Sequence, residues 1–413
     1  MKISQILFIL GLGVMIGLTS CDSDFESSQF DNISKCDNNL LSIEEVVSQA
    51  QEEFNSLFKQ TKSAKSVKSI ESYKLAKTRA DEKGLYGFYI LNYENGFAVV
   101  SADRRRPGVY AISEESNLSL NDTIDNPGLS VFFRNLENLP STRIGFNPGD
   151  FELPLDSIRF EGGNQELRIS SIEEVYPSIS AAASKISPEY PYNRYLTPIN
   201  GIIPCVNHLA VSTALVMSVC KWPESYSDTS FNWTGMNAGR NSTSWSKLLK
   251  LLSSNINLDV EYINGLGKCN WENIKRTLKN FYYSDSFIIN ENASELNPGM
   301  VRLCLLFDRK NPIMIAMANN NGTDVSWVYD GYKLINYYVV DENGNDTGKY
   351  YESIYLHIVW GLGGKGNGYF RFHDLFNKTP VIGGKPTIPD DDNSTVGPYV
   401  PIRVIALFEP LKL

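Results

Sequence analysis

Histidine is scarce in this chain of 413 residues: His208, His357 and His373 are the only three. That leaves few imidazoles for general base work, and no Cys/His grouping has the spacing of a zinc site. The six cysteines are widely spaced and include no CxxC pair. Basic clusters are also missing. The net charge is −9, and the short Arg104-Arg105-Arg106 run reads as a solvated turn, which excludes a nucleic-acid partner. The Gly-rich stretch from Gly361 to Gly368 does not sit in a strand-to-helix phosphate pattern, and Asp390-Asp391-Asp392 reads as solvated loop. No cofactor and no metal are expected.

The first residues carry an address. Lys2 precedes an apolar run from Ile6 to Leu18, too short to span a bilayer comfortably and the right length for a signal-peptide core. It ends in Leu18-Thr19-Ser20-Cys21, which resembles a bacterial lipobox, so Cys21 is the expected lipidation site. The acidic, polar stretch through residue 40 then reads as a tether. The expected location is the bacterial cell envelope, lipid-anchored, on a periplasmic or surface face. With Cys21 lipidated, Cys36, Cys205, Cys220, Cys269 and Cys304 remain, an odd number that argues against a disulfide framework.

Hydrophobic periodicity organises the rest. Leu41 to Lys59 has Val46, Val47, Ala50, Phe54 and Leu57 at helical spacing, with Ser42 as a cap. Two apolar strands, 87–93 and 97–101, flank the turn Glu94-Asn95-Gly96, a hairpin signal. Asn126-Pro127 opens a helix through Leu136, and residues 140–176 read as a linker or loosely packed arm. A helix from His208 to Cys220 is apolar on most sides and stops at Trp222-Pro223. Helices at 245–254 and 271–281 follow, and from residue 301 strands take over: 313–316, 325–329, 333–340, 355–360, 369–372 and 402–408. Helices first and antiparallel strands second predict an α+β fold.

Several blocks, in one order, resemble the streptopain family of cysteine peptidases. Gly87-Phe88-Tyr89 through Gly96 to Arg104 is similar to the family's propeptide, itself related to small protease inhibitors of the Spi type. Further on come Pro191-Tyr192-Asn193, Val216-Met217 with Trp222-Pro223, Asn232-Trp233, and Trp327-Val328-Tyr329-Asp330-Gly331-Tyr332. Trp360-Gly361, Gly363-Gly364 and Asn367-Gly368-Tyr369 complete the series, which spans about residues 60–376. The resemblance implies a papain-like domain of two lobes, helical and antiparallel β, behind an α+β propeptide-like domain. The expected division is 1–20 signal peptide, 21–40 tether, 41–176 propeptide or inhibitor-like domain, and 177–413 streptopain-like domain.

The resemblance also implies where the chemistry should lie. The family's nucleophilic Cys stands fifteen residues before the helix-ending Pro; counted from Pro223 that position is His208. The family's catalytic His corresponds to Val325, its orienting Asn to Val359, and its oxyanion Gln, three residues before Pro191, to Pro188. Imidazole does not replace a papain-type thiolate, valine accepts no proton, and proline offers no side-chain donor. All four working positions are therefore degenerate. The fallback is Cys205, one helical turn before His208, served by His208 or His357; His373 reads as surface. Trp327, Tyr329 and Trp360, with Tyr332, read equally as the wall of a peptide cleft or as core.

Three functions follow. The first is an inactive family member that binds a peptide or protein, a cysteine protease included, and reaches the membrane through its lipid. The second is an active secreted cysteine endopeptidase using Cys205. The third is a structural or adhesive surface lipoprotein.

Overall fold

The computed structural model describes residues 40–58, 66–74, 86–103, 108–122, 126–137, 166–284, 288–290, 313–320, 323–341, 343–371, 402–406 and 410–411. Cys21, Cys36, Cys304 and His373 lie outside these residues. Everything described belongs to one compact unit, Asn39–Leu413.

Helix α1 (Ile43–Phe58) opens on a reciprocal cap: Ser42 N–H donates to Glu45 Oε2 at 2.8 Å, and Glu45 N–H donates back to Ser42 Oγ at 3.2 Å. Strands β1 (Ser69–Lys74), β2 (Tyr86–Asn92), β3 (Phe97–Ser101) and β4 (Val109–Ser113) follow, then helix α2 (Pro127–Glu137) and strand β5 (Glu166–Val175). Next come α3 (His208–Cys220), the hairpin β6–β7 (Ser225–Tyr226, Thr229–Ser230), α4 (Trp233–Asn237) and α5 (Ser242–Ser253). A second small hairpin, β8–β9 (Glu261–Ile263, Leu266–Lys268), precedes α6 (Asn273–Asn280). The last strands are β10 (Ile288–Asn290), β11 (Met314–Asn320), β12 (Thr323–Val340), β13 (Asp346–Val359), β14 (Gly368–Arg371) and β15 (Ile402–Ala406).

One antiparallel sheet joins the front of the chain to its back, in the order β1-β2-β3-β4-β14-β13-β12-β11-β15-β10. The seam is β4 against β14, where Ile112 faces Tyr369 and Ala111 faces Phe370. No break in the sheet falls at the expected 176/177 boundary. Nor is 166–175 a loose arm: β5 pairs along β12 from Val175↔Tyr332 to Glu166↔Val340. Its sequence alternates poorly because its residues from Arg168 to Ser171 face solvent. The partner strand supplies its order. β12 is long enough to pair with β11 over its first half and with β5 over its second.

Side chains alternate along β12, so the sheet has two buried faces. Val325, Trp327 and Tyr329 enter a core with Phe88, Phe97 and the α2 residues Leu129, Phe132 and Phe133. Val328 enters the other core, with Val359 and the residues of α3. Helix α3 is covered nearly all round, from Leu209 to Ser218. Among the described residues, no helix is long and apolar enough to cross a membrane, and no group of three His, Cys, Asp or Glu side chains is placed to hold a metal.

Candidate functional site

The head of α3 is where the family's nucleophile would stand. Asn207 caps the helix, accepting from Leu209 N–H at 2.9 Å on Oδ1 and donating from Nδ2 to Gly267 O at 2.8 Å. The Cys269 thiol also donates to Asn207 Oδ1, at 3.4 Å. Hairpin β8–β9 thus lies against the cap. A Cβ on Gly267 would stand 3.1 Å from Asn207 Cβ and 2.9 Å from Val260 Cγ1, so glycine is what lets the hairpin approach.

His208 is the first residue of α3 and is half-buried. Burial lowers its pKa to about 4, and no charged group offsets that, so it is neutral at neutral pH. Pro188 is buried beside it, its carbonyl accepting from Val206 N–H at 2.8 Å. Val325 is 2% exposed and packs with Trp327 and Tyr329, whereas its neighbour Ser326 reaches α3 through Ser212 (Oγ to Oγ, 2.9 Å). Val359 pairs with Val328 and is fully buried. The four positions therefore carry a neutral imidazole, two packed valines and a proline.

Cys205 is partly exposed, with its N–H on Gly265 O at 3.2 Å. Burial raises its pKa, and the Glu189 carboxylate raises it further. Cys269 is pushed up to about 12 by burial, with Asp324 adding to it. An activated thiol needs the opposite environment.

His357 is not brought to Cys205. It lies on β13 opposite Gly331, and Gly331 is five residues along β12 from Ser326, on the order of 17 Å at strand spacing. Its Nδ1 contacts Asp330 Oδ1 at 2.5 Å, and its Nε2 faces Glu115 Oε1 at 3.6 Å, too long for a hydrogen bond. Asp330 also accepts from Ile179 N–H at 2.9 Å. Burial works against protonation of His357, but Asp330 and then Glu115 outweigh it and raise the pKa to about 9. The neighbouring His357 lowers the pKa of Glu115 against a smaller desolvation effect. Close by, Lys333 Nζ donates to Leu57 O, the end of α1, at 2.5 Å and pairs with Glu174 at 2.9 Å. It also lies over the rings of Phe58 and Tyr369, at 4.4 and 5.0 Å. These two buried cations tie the front of the chain to the back.

Trp327, Tyr329 and Trp360 do not line a cleft. They are 1%, 0% and 2% exposed, under α2. A Cβ on Gly128 of that helix would meet Trp360 Cε3 at 2.7 Å and Trp327 Cε3 at 3.3 Å. The aromatic surface is covered by the front segment. Two matching turns stand outside the expected elements, Ile199-Asn200-Gly201-Ile202 and Ile263-Asn264-Gly265-Leu266, the second of which accepts from Cys205 N–H just before α3. Both have left-handed Asn and Gly (φ 51° and 80°; 52° and 80°) and expose their apolar flanks. Asn-Gly between apolar residues was the signal that would have found them.

Residues 38–139 match the family model of the Spi protease inhibitors. No curated protein matches the chain. Among solved structures, a Prevotella intermedia prointerpain A fragment is similar at 15% identity and TM-score 0.49, over 81% of this chain and 98% of its own. Active wild-type Prevotella intermedia interpain A cysteine protease is similar at 14% identity and TM-score 0.35, over 56% of this chain and 94% of its own.

Proposed function

We propose that this chain is a streptopain-family envelope lipoprotein, anchored through Cys21, that binds a peptide or protein without cleaving it. The observation that carries this reading is the head of α3: His208, neutral and half-buried, stands at the position of the nucleophile. Val325, where the base would be, is sealed into the opposite core. The raised pKa of Cys205 and its separation from His357 argue against a displaced catalytic pair. The Spi protease inhibitor match over residues 38–139 favours a protease as the bound partner.

The test uses the full chain in mild detergent, with casein hydrolysis and labelling by a thiol-directed epoxide. No hydrolysis and only slow labelling of Cys205 are expected. Hydrolysis that disappears in Cys205→Ser would overturn the reading. Binding is measured against an active cysteine protease immobilised with its thiol blocked, and retention of the intact chain is expected.

A further inference from the structure

A cavity of about 770 Å³ opens where the front of the chain meets the back. Three lysines line it from three separate segments: Lys68 before β1, Lys185 in the 3-10 turn at 183–185, and Lys365 in the glycine loop after β13. The stem of Lys185 packs over that loop, 3.4 Å from where a Cβ on Gly364 would stand. Among the described residues, none of the three ammonium groups has an ion-pair partner.

The two carboxylates of the cavity wall are engaged. Glu115 faces His357, and Asp122 accepts from Ser119 N–H at 2.8 Å. Asn367 also lines the cavity and is 1% exposed. Its Oδ1 accepts from Trp360 N–H at 3.1 Å, which fixes the amide, and its buried Nδ2 has no partner. A buried donor left unsatisfied is costly unless something accepts from it. The wall has donors to spare, no aromatic face for a sugar ring to stack on, and room for several residues of peptide.

We infer that this cavity binds an acidic peptide segment, with Lys68, Lys185 and Lys365 pairing its carboxylates and Asn367 Nδ2 donating to one of them. The site shares no residue with the head of α3, so it stands whether or not the chain proves to be a peptidase. Because its walls come from both halves of the sheet, a bound peptide also braces the front segment against the back. The chain's net charge of −9 repels polyanions in general, so binding of one reports a local site.

The experiment titrates the full chain in detergent against a fluorescein-labelled glutamate octamer, followed by anisotropy, at about 50 mM and about 500 mM salt. Expected are saturable binding at low salt, weakening at high salt, and at least a tenfold loss in Lys185→Glu/Lys365→Glu. Asn367→Asp keeps the acceptor for Trp360 N–H and replaces Nδ2 by oxygen, and should weaken binding with unchanged melting. No binding, equal binding of a glutamine octamer, or affinity untouched by these substitutions would overturn the inference. Displacement by citrate at concentrations equal to the octamer's would overturn the peptide as ligand in favour of a small polycarboxylate.

Discussion

His357 makes the union of front and back depend on pH, and the dependence can be worked out from its surroundings. Its pKa rises from 6.5 to about 9 between Asp330 and Glu115. A histidine raised in this way stabilises the fold fully below about pH 6.5 and loses that contribution as pH climbs through about 9, amounting to about 3 kcal/mol. Glu115, whose pKa is lowered, acts in the other direction: its contribution is present above its ordinary pKa of 4.5 and is lost in acid. The perturbation is His357→Asn, which keeps a donor for Asp330 but carries no charge. Urea unfolding at several pH values between about 6 and about 9.5 gives stability against pH for both proteins, and their difference removes the titration of groups that are not coupled to His357. The parent should lose stability relative to the variant by about 3 kcal/mol across this range. Parallel curves would refute the reasoning, because they would mean that His357 is not charged in the fold.

Three further outcomes are expected. His208→Cys places a thiol at a helix N-terminus, where its alkylation at neutral pH should outpace that of Cys205, yet casein hydrolysis should stay absent because Val325 provides no base. Gly128→Ala drives a methyl group to 2.7 Å from Trp360 and should cost about 1–3 kcal/mol in unfolding experiments, with a change in tryptophan fluorescence. Lys333→Met strips the partly exposed Glu174 of its cation and Leu57 O of its donor, a loss of about 2–4 kcal/mol that Lys333→Met/Glu174→Gln should partly restore.

Where the sequence carried strong local signals, the fold was legible. Helix α3 begins and ends where the apolar run and Trp222-Pro223 imply, and the 87–93/97–101 hairpin forms with its Asn-Gly turn. The strands expected at 325–329 and 333–340 are joined in β12. It is one strand carrying an irregularity at Asp330-Gly331, where Asp330 is held by Ile179 and His357. β5 has a polar pattern, and only its long-range pairing orders it. The positions of the site could be counted from Pro223, but which way each side chain faces could not. Val325 turns away from α3 because it shares the face of Trp327, and the tryptophans are covered by a helix more than 190 residues earlier in the chain. Nothing local encodes that burial.

The β4–β14 seam bears on what a shortened chain would do. β14 has only four residues, and its Phe370 is wholly buried under the front segment. Removing the front half would leave β14 as a bare sheet edge, short and apolar apart from Arg371 at its end, with no proline to keep it from pairing with another edge. The back half alone would then be prone to add strands from other copies of itself. The front segment serves, in effect, as an edge guard: for as long as it stays in place, β14 need not be safe in water.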